Sequence, residues 1–252
     1  MRRDAAESLR IWPDVFAVSR ERISIGQIPH SDLSAAFADV ARALERDGAI
    51  KGWRGETYAV RLRDGAEPVF HIERAAMRFF GLTSSAAHLN GFVLRNGNPA
   101  IWIARRSATK SIDPGMLDNL VAGGIASGQT AWQALLRECD EEAGIPPALA
   151  KEALPAGVLS ACREVPEGLD SEILYVYDLA LPADFAPRNA DGEVSEFLSL
   201  DAQALLERIA DGEMTVEAGL VAVDFALRHG LVKDADGKLG AAVAACRGPT
   251  PS

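Results

Sequence analysis

The residues best able to do chemistry are Glu138, Glu141 and Glu142, in the run Arg137-Glu138-Cys139-Asp140-Glu141-Glu142-Ala143-Gly144-Ile145. An α-helix turns by about 100° per residue, so positions three and four apart share a face. On a helix the three glutamates project from one side. Their carboxylates repel one another, and Arg137 is the only cation between Gly123 and Glu142. A solvated acidic face is one account of such a cluster. A hard divalent cation is the other, because Mg²⁺ takes oxygen ligands and commonly sits between carboxylates and phosphate oxygens.

The helix that must carry these groups is bounded by its own sequence. Thr130 with Gln133 fits a capping box, which starts the helix near Ala131, and Gly144 fits the position just past its end. Trp132, Leu136, Cys139 and Ala143 fall on a neighbouring stripe and are expected to be buried.

The whole stretch resembles the Nudix box, Gly-x5-Glu-x7-Arg-Glu-U-x-Glu-Glu-x-Gly-U with U a bulky apolar residue. The matching residues are Gly123, Arg137, Glu138, Cys139 in the first apolar slot, Glu141, Glu142, Gly144 and Ile145. The first glutamate of the pattern is replaced by Gln129. The resemblance implies a Nudix hydrolase with Glu138, Glu141 and Glu142 as ligands of Mg²⁺, or of Mn²⁺. It also implies that Arg137 orients a glutamate through an ion pair and that Gly123 and Gly124 line the substrate site. Gln129 leaves the number of bound metals open.

Composition narrows the partners. The chain has 252 residues, 48% of them hydrophobic, which suffices for one large domain or two modest ones. A net charge of −10 argues against broad binding to nucleic acid or to an anionic membrane, and an anionic substrate then needs local cations or a metal. Cys139, Cys162 and Cys246 are too few and too scattered for a disulfide framework or a zinc site, and they suit a reducing cytoplasm. The opening MRRDAAESLRIW does not read as a signal peptide, and no run approaches the ~20 apolar residues of a membrane span. A small-molecule diphosphate is the expected partner, and a homodimer is left open.

Along the chain, residues 1–29 carry no clear pattern. Leu33, Phe37, Val40, Ala41 and Leu44 have helical spacing, stopped by Asp47-Gly48. Thr57 to Leu62 and Pro68 to Ile72 read as strands, and Glu73 to Phe80 as a short helix closed by Gly81. The small residues from Thr83 to His88 read as a hinge, so residues 1–88 are expected to form a small α+β domain and 89–252 a second domain. In the latter, Phe92 to Arg95 and Ala100 to Arg105 read as strands joined by a turn at Gly97-Asn98, Pro146 to Leu154 as a helix, then Gly157 to Glu164, Glu172 to Leu181 and Val194 to Leu198 as strands. Asp201 to Ile209 and Val216 to Arg228 read as helices. The fold class is α/β, and the Nudix resemblance implies an α/β/α sandwich with a mixed sheet for the second domain.

Further candidates surround the box. Arg106 and Lys110 lie just before it, and arginine and lysine both bind phosphate. Glu193 and Glu196 open a late strand. Many Nudix proteins resemble this stretch and use a late glutamate as metal ligand or base, which favours Glu193; the base is then Glu142 or Glu193. Four histidines, at 30, 71, 88 and 229, show no ligand spacing.

Resemblance extends beyond the box. The runs Trp53 to Tyr58, Ile72 to Ala75, His88 to Phe92, Pro114 to Asn119, Asp191 to Val194 and Asp224 to Gly230 are similar to Nudix proteins with an extra N-terminal domain of unknown function. These are related to the Nudix half of certain thiamine pyrophosphokinases. The resemblance implies hydrolysis of damaged thiamine diphosphate analogues, with Trp53 or Tyr58 as an aromatic wall for the ring. ADP-sugars or other nucleoside diphosphate derivatives are the alternative substrates. Prenyl diphosphate isomerase shares the fold but uses a cysteine where this chain has Val121. A Nudix-like binding module is the non-catalytic alternative, although such a module has no physical need to keep a repulsive carboxylate cluster.

Overall fold

The computed structural model describes residues 1 and 3–248. The chain divides into two compact units. The first comprises Met1–Ser84 together with Ala126–Gln129 and Cys162–Glu172; the second comprises Ser85–Ile125, Thr130–Ala161 and the described residues from Ile173 on.

The first unit contains helix α1 (Arg3–Ser8), the hairpin of β1 (Phe16–Val18) with β2 (Ile23–Ile25), helix α2 (Leu33–Arg46), strands β3 (Thr57–Val60) and β4 (Phe70–Glu73), and the short α3 (Met77–Phe80). Helix α2 buries Leu33, Phe37, Val40, Ala41 and Leu44, the residues whose spacing marks its apolar stripe. Phe37 stacks on Phe70 at 4.2 Å and meets Phe16 edge-on at 5.3 Å, so an aromatic cluster ties α2 to β4 and β1. Strand β3 ends at Val60 with Tyr58 and Val60 turned inward by alternation, and Leu62, expected in the strand, lies beyond its end and is exposed. Arg78 grips Asp170 through two hydrogen bonds of 2.9 and 2.7 Å. Beside it Gly168 sits at φ +153°, where a Cβ would lie 2.1 Å from the Arg78 carbonyl oxygen, so only glycine fits.

The second unit is built on a sheet. The elements from Thr83 on are β5 (Thr83–Arg95), β6 (Asn98–Arg106), β7 (Leu117–Asn119), β8 (Val121–Gly124), α4 (Ala131–Ala143), α5 (Pro147–Ala150), β9 (Leu154–Val165), β10 (Gly168–Ala180), β11 (Val194–Leu200), α6 (Ala202–Ala210), α7 (Val216–Arg228) and α8 (Lys238–Ala245), of which the 162–172 ends of β9 and β10 belong to the first unit. The seven strands run β11-β6-β5-β10-β9, with β7 added on β6 and β8 on β5. Successive residues of β6 serve opposite faces. Ala100 and Trp102 pack with Leu135 and Cys139 of α4, whereas Ile101 and Ile103 pack with Leu205 of α6 and Phe225 of α7. Helices thus cover both faces.

Three expectations differ from this architecture. Thr83 to His88 is the start of the 13-residue strand β5, not a hinge. Its small residues suit close pairing, and Ala86, Ala87 and His88 are in register with Gly124, Gly123 and Ala122 of β8. The turn between β5 and β6 is Asn96-Gly97, both at positive φ, one residue earlier than Gly97-Asn98. Helix α5 covers only Pro147–Ala150, because the chain from Leu154 is already strand.

Candidate active site

The box helix forms as its sequence dictates. Thr130 Oγ1 accepts the Gln133 backbone N–H at 3.2 Å, and Gln133 Oε1 accepts the Thr130 N–H at 2.9 Å. Gly144 takes the left-handed conformation at φ 60° and closes the C-terminus. The buried face is rotated from the expected stripe. Ala134, Leu135, Cys139, Glu142 and Ala143 are buried, while Trp132 and Leu136 are half-buried. Burial pushes the Cys139 thiol up to about 12, with Glu142 and Glu138 adding to it, so this cysteine is packing and not nucleophile.

The rotation puts the three glutamates in different settings. Glu138 lies against Gly123, where a Cβ would fall 2.2 Å from its Cγ; a side chain at 123 would displace the carboxylate. Arg137 donates to Glu138 at 2.7 Å and to Glu141 at 2.8 Å, the ion pair that orients both. Burial raises the Glu138 carboxyl above its ordinary value, opposed by Arg137 and reinforced by Glu141. Glu141 is the most exposed of the three, with its side chain 45% accessible. Glu142 is buried; it accepts the Ala122 N–H at 3.0 Å and faces the Lys110 ammonium at 3.6 Å. Burial, and then the Glu138 charge, push its pKa up to about 8, despite Lys110 and the Ala122 N–H.

Lys110 is the second counter-cation of the site. Its side chain is only 10% exposed, and its ammonium bridges Glu142 and Glu193. Glu193 is placed by the loop before β11, where its carbonyl accepts the Ser107 N–H at 2.8 Å and the Asp191 side chain accepts its own N–H at 2.8 Å. A register shift between Val194 and Glu196 then turns Glu196 toward Arg105, 2.8 Å away, so the two glutamates part as strand alternation requires.

Arg106 stands differently from the phosphate-binding expectation. Its guanidinium donates to the carbonyls of Ile112 and Asp113 and, at 2.6 Å, to Asp118. With its donors so committed it anchors the loop that carries Lys110. Asp118, buried in β7, was given no role of its own by the sequence; its signal was its place in the run Pro114 to Asn119. Tyr58 also departs from expectation. It is 3% exposed within the first unit's core, because β3 alternation turns it inward, so its ring offers no ligand wall. Trp53 is half-buried, with the Arg42 guanidinium 3.7 Å over its ring. Val121, at the isomerase's cysteine position, is fully buried in β8.

Among the described residues, no three His, Cys, Asp or Glu side chains converge into a formed metal cage. Arg137 and Lys110 hold the glutamates apart as their counter-charges. The donor set nonetheless fits a hard divalent cation: every candidate atom is a carboxylate oxygen, and Gly123 leaves room for Glu138. Gln129, at the first box position, buries its carboxamide oxygen with no hydrogen-bond partner among the described residues.

Comparison with known proteins agrees with this geometry. Residues 1–84 match a family profile described as Domain of unknown function (DUF4743), and residues 89–217 match the NUDIX domain profile. The chain is 39% identical over 203 residues to Nudix hydrolase 20, chloroplastic, and 41% identical over 230 residues to Nudix hydrolase 24, chloroplastic, both from Arabidopsis thaliana. These alignments cover 80% and 89% of this chain but only 54% and 63% of the plant proteins. A Nudix hydrolase of Deinococcus radiodurans is 35% identical over 125 residues, covering 50% of this chain and 68% of its own. The crystal structure of DR0079 from the same organism superposes with a TM-score of 0.50 at 28% identity, over 67% of this chain and 97% of that one. The box helix, its glycine cradle and these matches place the chain in the Nudix family, with a DUF4743 domain at its N-terminal end.

Proposed function

We propose that this chain is a divalent-metal-dependent hydrolase that splits the diphosphate linkage of a small molecule, releasing the monophosphate and phosphate. The observation that carries the reading is the cation–carboxylate arrangement around α4, buried at Lys110 and Glu142 and open to solvent at Glu141. Lys110 lies between Glu142 and Glu193, Arg137 clasps Glu138 and Glu141, and Gly123 leaves space for Glu138. Glu138, Glu141 and Glu142 are the residues that would hold Mg²⁺ or Mn²⁺. A bound Mg²⁺ neutralises diphosphate charge and lowers the pKa of an attacking water. Lys110, on a flexible four-carbon stem, turns its ammonium from the carboxylates to a phosphate oxygen. Glu142 or Glu193 takes the proton of the attacking water. Arg106 acts at one remove, by holding the 107–116 loop.

The substrate class we favour is damaged thiamine diphosphate analogues. The support is resemblance to Nudix proteins related to thiamine pyrophosphokinases, together with the N-terminal DUF4743 match. Of the two aromatic candidates, Trp53 is half-buried with Arg42 over its ring, and Tyr58 is buried. Cys139, Cys162 and Cys246 are unpaired, in keeping with a reducing compartment such as the cytoplasm. The test is a set of initial rates with Mg²⁺ at matched low substrate concentration, which report kcat/KM. Oxothiamine and oxythiamine diphosphates are expected to outrun thiamine diphosphate and ADP-ribose. An ADP-ribose or dinucleoside polyphosphate rate tenfold above every thiamine analogue would sink the substrate assignment and leave diphosphate hydrolysis standing. No cleavage of any member of the panel would point instead to a binding module.

A further inference from the structure

The loop inside the box, between Gly124 and Thr130, is held by residues of the N-terminal region. Ala126–Gln129 belongs to the first compact unit, although the chain on either side belongs to the second. Ala126 packs against the aromatic core that contains Phe37 and Phe80. The Ser127 N–H donates to the Thr57 carbonyl at 2.7 Å. The Ser127 hydroxyl lies 2.7 Å from His71 Nδ1 in a hydrogen bond. His71 is itself fixed, since it sits in β4 opposite Ala59 of β3 and donates its backbone N–H to Ser34 Oγ at 3.0 Å. The loop closes on itself through Gln129 N–H to the Ala126 carbonyl at 3.1 Å, with Gly128 at φ +83° making the turn.

We propose that His71 and Ser127 are positioning residues of the hydrolytic site, and that the DUF4743 domain contributes to catalysis by clamping this loop. The inference rests on the hydrolase reading above. The loop joins Gly123, against which Glu138 rests, to Thr130, which caps α4. It is the covalent link between the glycine cradle and the start of the glutamate-bearing helix, which also packs directly on β8. A backbone bond, a side-chain bond and an apolar contact remove its freedom at three points. Such pre-organisation matters because misplacement by about 1 Å can cost a hundredfold in rate. The same clamp fixes Gln129, whose buried oxygen has no partner among the described residues. Neither His71 nor Ser127 is placed here as a ligand of metal or substrate.

The experiment uses the full chain with four changes: His71→Ala, Ser127→Ala, the two combined, and His71→Asn, whose carboxamide can reach Ser127 as Nδ1 does. The first readout is amide exchange at Ser127, measured without substrate. Loss of the side-chain bond is expected to speed it about five- to tenfold, the scale of one net hydrogen bond. Both single variants should show that change, the double variant should be no worse than either, because one bond is lost in all three, and the Asn variant should return toward the wild-type rate. The second readout is turnover of whichever panel diphosphate the wild-type protein cleaves fastest. Here kcat is expected to fall about fivefold with KM held within twofold, and to recover in the Asn variant. Mn²⁺ affinity, titrated by its electron paramagnetic resonance signal, should stay within twofold. Wild-type exchange in both single variants, additive losses in the double variant, or unchanged kcat beside faster exchange would each overturn the clamp. If the wild-type protein cleaves nothing, the hydrolase reading and with it the catalytic role fail, while exchange still reports separately whether the bond holds the loop.

Discussion

Glu141 and Glu142 are adjacent in sequence and opposite in setting, and the two make different predictions. Glu141 is half-exposed, held by Arg137, and buries nothing that folding needs. Glu141→Gln keeps size and helix propensity while weakening a metal ligand. Hydrolysis is expected to fall at least about a hundredfold, the scale of a lost electrostatic contribution to catalysis, while the melting temperature in EDTA stays close to wild type. Full activity in that variant would remove the metal assignment. Glu142 is buried with its pKa raised to about 8. The native state of the metal-free protein therefore holds a proton that the unfolded chain, with an ordinary carboxyl near 4.5, gives up. The folded state gains from low pH and loses stability as pH rises between those two values. Melting curves in EDTA should thus show a contribution to Tm that declines from about pH 5 to about pH 8 and is absent from Glu142→Gln. A Gln variant with the wild-type pH dependence would show that Glu142 is not the group responsible.

At the scale of the element, α4 is a helix whose ends are better specified than its middle. The reciprocal Thr130–Gln133 bonds satisfy two backbone or side-chain donors at its start, and Gly144 ends it without strain. Thr130→Ala removes the cap and is expected to cost about 1 kcal/mol. Spread over a chain of this size, that lowers Tm by about 2–4 °C. The effect should be the same with and without Mg²⁺, since the cap's side-chain hydrogen bonds run between Thr130 and Gln133 and involve none of the glutamates. A much larger loss in the presence of Mg²⁺ would mean that the helix start takes part in binding the metal.

On the scale of the whole molecule, the two compact units are not successive halves of the chain. The first includes 126–129 and 162–172, which come from within the NUDIX-matching stretch. A chain cut to begin at Leu89 therefore lacks Thr57 and His71 for Ser127, and Arg78 for Asp170. Asp170 is buried, and a buried charge stripped of one partner is costly to leave, although Arg163 remains 3.3 Å away. The truncated chain is expected to lose a cooperative melting transition and to elute with aggregates on size exclusion. A monomer with a sharp transition and wild-type selectivity among diphosphates would make residues 1–88 dispensable. The first compact unit runs to Ser84 and takes in these two later segments as well, so no single cut in the chain separates the units.

Local patterns carried much of this protein legibly. The capping box, the glycine stop, the apolar stripe of α2 and the helix over Val216–Arg228 all rest on interactions between residues a turn or less apart, so spacing alone specifies them. The carboxylate cluster, and with it the family, was equally plain because all its members lie on one helix. What only the tertiary structure decided depends on residues far apart in sequence. Strand pairing with β8 made Thr83 to His88 part of a long strand where small residues suggested a hinge. Packing against the sheet rotated α4 so that Glu142 is buried and Trp132 is not. Lys110 meets Glu193 across 83 residues, and His71 meets Ser127 across 56. No periodicity records such meetings, because a side chain's partner across the fold is set by how the elements pack and not by the residues beside it.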